Sequence, residues 1–157
     1  MANNNRAIEV SASELARDVR CGAKPTDALD AVLSRYDNAM KYSGCLTADF
    51  TVDEVRHTVK SALSGNLEPA AALTSNPRGP LAGVPFVASA AIDVAGRSTT
   101  AGCAILEAGR ATIDSAAVAT LKAAGGVFLG HSSMGQLGLG LSPARNVRLT
   151  QKSFSSL

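Results

Sequence analysis

Tryptophan is absent from this sequence, and aromatic residues make up only 4% of it. Hydrophobic residues nonetheless reach 46%. A core must therefore be built from Ala, Val and Leu, which favours closely packed helices and sheet over aromatic clusters, and a disordered tail is excluded. Neither sign of charge dominates: 15 Lys and Arg stand against 13 Asp and Glu, and the basic residues are scattered. That pattern lacks the electrostatic footprint of a nucleic-acid binder and the polybasic anchor of a membrane-surface protein. No apolar run approaches the roughly 18 residues that span a bilayer, and the first residues show no signal-peptide pattern. Cysteine is scarce. Cys21, Cys45 and Cys103 lie far apart without CxxC spacing. An odd, dispersed set fits reduced thiols, and His57 and His131 are too isolated to complete a zinc site. The expectation is a cytoplasmic protein with no metal, no cofactor, no nucleic-acid partner and no membrane partner.

The 157 residues are enough for one domain with its own core. Residues 10–65 read as helical. Ser11 and Glu14 have capping-box spacing, Ala12, Leu15, Ala16 and Val19 mark one face, and Gly22 is placed to end the helix. Pro25 suits a second helix start. Leu29, Val32, Leu33, Tyr36 and Met40 then follow at helical spacing, as one buried face would. Thr51 and Glu54 repeat the capping signal before a third helix that carries Val55, Val59, Ala62 and Leu63 and closes at Gly65.

Residues 66–82, with three prolines and little periodicity, predict a connector. Gly83-Val84-Pro85-Phe86-Val87-Ala88 predicts a short buried strand, with Pro85 favouring its start or an edge. Asp114 or Ser115 can cap a fourth helix with Val118, Leu121 and Ala124 on one face. Gly125 and Gly126 stop it before a second strand, Val127-Phe128-Leu129. Strand, loop, helix, strand is the βαβ pattern of a mostly parallel sheet, so residues 83–141 form an α/β core portion. After Gly130 the chain loosens, and residues 142–157 predict an irregular tail.

Several residues invite a chemical reading. Ser89, at the end of the first predicted strand, needs a nearby base to be a nucleophile, and only His57 and His131 are available. A small polar residue at a strand end is the simpler reading. His131-Ser132-Ser133 resembles a catalytic pair in print, yet neighbours on a strand face opposite ways, and the stretch reads as a loop. Ala104, Ile105 and Leu106 predict apolar surroundings for Cys103, hence a buried, inert thiol. The glycines of residues 135–140 do not form GxGxxG and precede no clear helix, so phosphate binding is not indicated. Asp93 reads as a turn residue.

Gly79-Pro80-Leu81-Ala82-Gly83-Val84-Pro85-Phe86, then Ile92-Asp93-Val94-Ala95-Gly96, then Thr99-Thr100-Ala101-Gly102-Cys103 resemble the amidase signature family. So does the run over residues 116–130 that ends in LKAAGGVFLG. The resemblance covers most of residues 10–141. The Ala91-Ile92-Asp93 turn, the TTAGC run and the Q-x-x-x-G-L spacing from Gln136 to Leu141 are most similar to the allophanate hydrolase branch. The resemblance implies an α/β fold: N-terminal helices followed by a partial mixed sheet with flanking helices. It implies descent from hydrolases that cleave carboxamides with a serine nucleophile, a second serine in a cis peptide, and a lysine that accepts the proton. Ser89 stands at the lysine position and Ala90 at the acid that follows it. The Gly/Ser-rich loop that carries the two serines is absent from these residues. His131-Ser132-Ser133 stands where the family has Lys-Thr-Asn, Gly135 replaces an acid, and residues are missing around Ser142 and Pro143.

A hydroxyl cannot take up a proton near neutral pH as a buried lysine amine can. The expectation is therefore a single truncated amidase-like domain over residues 1–157, with no catalytic residue and no activity on its own. Its remnant pocket would be rimmed by Ser89, Ala90, Gly102 and Ser133. Two alternatives stay open: one piece of an active allophanate- or carboxamide-type hydrolase completed by another chain, and a hydrolase with a rewired site. Uncovered sheet edges would invite a homo-oligomer or another protein partner.

Overall fold

A computed structural model describes residues 11–22, 46, 51, 53, 54, 56, 57 and 79–139. The predicted helix beginning at Pro25, residues 66–78 of the connector and the 142–157 tail lie outside them.

The first helix, α1, spans Ala12–Arg20 and begins as the sequence predicts. Glu14 N–H donates to Ser11 Oγ at 3.3 Å, and Ser11 N–H donates to Glu14 Oε2 at 2.9 Å. This capping box satisfies two amides that the first turn would otherwise leave open. Leu15 and Ala16 are buried, and Gly22 follows the helix with φ of 105°. Arg20 Nη1 reaches across to the Pro80 carbonyl at 2.9 Å, tying the helix to the turn ahead of the sheet. Around residue 51 the same device recurs: Thr51 N–H and hydroxyl both donate to Glu54 Oε2, at 2.8 and 3.1 Å.

The core is a parallel pair of strands, β1 (Pro85–Ser89) and β2 (Val127–Ser132), joined through helix α2 (Ala116–Ala123). Ser115 caps α2 by accepting from Val118 N–H. The helix ends on paired bonds, Gly125 N–H to Lys122 O and Gly126 N–H to Leu121 O, which close its last turn before β2. Val118, Val127, Phe128 and Leu129 are buried, with Phe86 packing against Phe128 at 5.7 Å between ring centres. Antiparallel bridges at Leu46–Ser132 and Ser98–Arg110 supplement the parallel pair.

Strand β2 runs farther than expected. Residues 131 and 132 are paired strand, not loop, because β1 continues beside them: Ala88 pairs with His131 and Ser89 with Ser132. The register slips between Phe86–Phe128 and Ala88–His131, so β2 carries one extra residue there. Gly130 lies in that stretch with φ of 145°, a conformation open to glycine. The slip sets the faces. It places His131 on the side of Phe128, opposite small, buried Ala88, and leaves Ser132 across from Ser89.

Candidate functional site at the carboxyl ends of the strands

In a parallel α/β sheet, ligands bind beyond the carboxyl ends of the strands. Here three segments meet at that end. Ala90 N–H donates to Ser132 O at 3.2 Å, Ala101 N–H to Ala90 O at 2.9 Å, and Leu137 N–H to Ala101 O at 2.8 Å. Residues 89–91, 100–102 and 132–137 are thus stitched into one floor.

Gly102 fixes how closely two of these segments approach. Its φ is 74°, and a Cβ there would lie 2.6 Å from the Met134 carbonyl oxygen. Ala101 and Leu137 both hold left-handed backbones, with φ of 45° and 51°, and are joined by the bond just described. Such conformations cost non-glycine residues about 1–2 kcal/mol each, so the surrounding structure imposes them.

Of the predicted rim residues, Ala90 is hydrogen-bonded to Ala101, and Ser89 and Gly102 both lie against Met134; Ser133 precedes Met134 in the chain. Ser89 Oγ donates to Met134 Sδ at 3.3 Å and accepts weakly from Ala91 N–H at 3.4 Å. Neither contact is an imidazole. His131 is 1% exposed on the other face, with Nε2 3.1 Å from the Ile92 carbonyl oxygen and its ring edge-on to Phe128. A carbonyl can only accept, so Nε2 carries the proton in that contact. His57 is exposed on the helical stretch after Thr51. Asp93 accepts from the Thr99 hydroxyl and holds the turn, as expected.

Cys103 is not buried. It is half-exposed, because the Ala104–Leu106 segment is a single 3-10 turn directed to solvent, with Ile105 89% exposed. Sequence reasoning also missed three features of the site. Met134 as the partner of Ser89 carries no pattern in sequence. The left-handed Ala101 and Leu137 have side chains that disfavour that conformation. Lys122, 4% exposed, is buried against Asp114, with Nζ 2.9 Å from each carboxylate oxygen. A signal for the last existed: a helical lysine points back toward the helix start, where Asp114 precedes the cap.

Among the described residues, no three or more His, Cys, Asp or Glu side chains cluster as a metal site, and no helix is long and apolar enough to cross a membrane. The parallel strands, the close-packed turns and the site at their carboxyl ends define an α/β domain of the kind that hosts small-molecule chemistry in its loops. The amidase family model matches residues 27–151, and the chain belongs to that family. It is 44% identical over 66 residues to the glutamyl-tRNA(Gln) amidotransferase A-type subunit of Salinispora arenicola, a match spanning 42% of this chain and 13% of that protein. The corresponding protein of Salinispora tropica matches over the same shares.

Two solved structures share the fold. One is an inhibitor-bound vestigial protein complex that bears on the evolutionary origins of an s-triazine catabolic enzyme. It has a TM-score of 0.68 and 23% identity, over 89% of this chain and 29% of that one. The other is an alanine variant of Kluyveromyces lactis allophanate hydrolase, with a TM-score of 0.58 and 24% identity, over 85% of this chain and 20% of that one. The chain thus spans less than a third of each of these relatives.

Proposed function

We propose that this chain is an amidase-family domain, derived from carbon–nitrogen hydrolases, that does not hydrolyse amides on its own. One observation carries the reading: at the family's lysine position, Ser89 turns its hydroxyl to a thioether 3.3 Å away. A thioether accepts a weak hydrogen bond and cannot take up a proton near neutral pH. Ser132, across the strand pair, gains no base from this arrangement, because His131 faces the opposite side of the sheet. Ala90, in place of the acid that follows the lysine, is 1% exposed and offers only its backbone. Ser89, Ala90, Gly102 and Ser133 then form a pocket rim without a catalytic group. The half-exposed thiol of Cys103 and the exposed Cys21 fit a reducing, cytoplasmic setting.

A second reading is that the chain is one part of an amidohydrolase of the allophanate or carboxamide type, completed by another chain or by a second copy. Six large apolar side chains stand exposed among the described residues, including Ile105, Leu137 and Leu139, as a covered surface would require. The fold-sharing vestigial complex is described as an assembly, which favours a protein partner here too.

Ammonia release from allophanate, urea derivatives and simple carboxamides tests both. The expected result is no turnover by the chain alone, and none after Ser89→Lys, since the lysine alone would have no nucleophile to activate. Turnover that disappears in Ser132→Ala would overturn the inactive reading. Turnover that appears only on adding a chain with the Gly/Ser-rich loop would establish the second.

A further inference from the structure

We propose that Met134 is a site of reversible oxidation, and that Ser89 is the donor that lets the folded site accommodate the sulfoxide. This stands apart from any amide chemistry. Met134 is half-buried, open enough for a small hydroperoxide to approach while bulk solvent does not surround it. Ser89 Oγ already aims its proton at the sulfur from 3.3 Å. Gly138 lies beside the methionine's end, where even an added Cβ would sit 3.7 Å from Met134 Cε.

The step balances without further components. A sulfur lone pair attacks one oxygen of hydrogen peroxide, the S–O bond forms as the O–O bond breaks, and the second oxygen leaves as water after taking the transferred proton. The sulfur is oxidised by two electrons and the peroxide is reduced. A protic group beside the sulfur eases the separation of charge as the O–O bond opens, and the Ser89 hydroxyl occupies that place.

The product is where this site differs from an ordinary core methionine. Methionine sulfoxide is polar, and in apolar packing it disrupts its surroundings. Its oxygen is a far better acceptor than the thioether, and buried acceptors are costly only when unpaired. Here the hydroxyl that meets the sulfur need only turn to meet the new oxygen. The backbone at Met134 is held meanwhile by its close approach to Gly102. A thiol-dependent sulfoxide reductase would restore the thioether.

The test is hydrogen peroxide treatment of the full chain, read by peptide mass spectrometry and by the methyl signal of isotope-labelled methionine. Wild type, Ser89→Ala, Ser89→Thr and Met134→Leu are compared, with a synthetic peptide of residues 130–138 as the unfolded reference. The expected result is a single added oxygen at Met134 in the folded protein, with the thermal midpoint kept in wild type and Ser89→Thr. In Ser89→Ala the midpoint should fall on oxidation by about 2–4 °C, the shift that one lost hydrogen bond produces in a chain of this size. Met134→Leu should show no oxidation-dependent change. If Ser89→Ala does not fold, the Ser89→Thr comparison decides: a fall of about 2–4 °C or more there, or in wild type, overturns the proposal. So does a Met134 that stays unoxidised under conditions that convert the peptide.

Discussion

Lys122 and Asp114 form a two-pronged ion pair inside the α2–β2 packing, with Nζ 2.9 Å from both carboxylate oxygens and the lysine side chain 5% exposed. The same carboxylate accepts from Ala95 N–H at 2.8 Å, so it also anchors the turn that leaves the site. The ammonium lies 6.0 Å from the centre of the Phe128 ring, on the face side.

Removing only the acid strands a buried charge. Asp114→Ala is expected to destabilise by about 3–5 kcal/mol. The double change Asp114→Ala with Lys122→Met should recover much of that, because no buried charge is then left unpaired. Urea unfolding of wild type, Asp114→Ala, Lys122→Met and the double variant reads the coupling directly; equal losses in Asp114→Ala and the double variant would refute it.

The left-handed residues predict a gain rather than a loss. Leu137 is 61% exposed, so Leu137→Gly gives up little packing and relieves a backbone that leucine disfavours. A stabilisation of up to about 1 kcal/mol is expected, after allowance for the entropy of an added glycine. Ala101→Gly should behave likewise, and denaturant midpoints with unchanged slope would record both.

Gly102→Ala is the converse. The new methyl would press on the Met134 carbonyl oxygen at 2.6 Å and stand on a backbone of φ 74°. A loss of at least about 2 kcal/mol is expected, with the site floor loosened first. Faster hydrogen exchange at Ala101 and Leu137 N–H than elsewhere in the sheet would be the mark of it.

Acid should act on the helical stretch after Thr51. The Thr51 backbone N–H, then its hydroxyl, hold the Glu54 carboxyl below its ordinary value of 4.5, and Arg97 adds a smaller pull in the same direction. A depressed carboxylate contributes stability above its unfolded pKa and loses it as pH falls through the folded one. The capping contribution should thus be full at neutral pH and fade below about pH 4.5. Glu54→Gln should flatten that dependence in circular dichroism. The side chain is exposed, so the effect is small.

Much of the frame was legible because local chemistry wrote it. Ser11 with Glu14, Thr51 with Glu54, Ser115 and the Gly125-Gly126 stop each act within a few residues of themselves, and each stands where the spacing placed it. The motif series set Ser89, Ala90 and Gly102 on one rim as an expectation, and the Ala101 to Ala90 hydrogen bond joins two of those segments. The length of β2 did not, because residues 131 and 132 become strand only through pairing with β1, a long-range fact. Cys103 was misjudged for a related reason: apolar neighbours in sequence imply burial only if something packs over them, and Ile105 faces solvent. The Met134 contact joins residues 45 apart and has no local trace.

The additional residue in β2 has an evolutionary corollary. Excising Gly130 would leave Phe128 and His131 two positions apart, on one surface of the pleat as they are now. His131 would still stand across from Ala88, and Ser132 across from Ser89. A lost codon at this point is therefore silent for the two faces, and the imidazole stays turned away from the hydroxyl with or without the glycine.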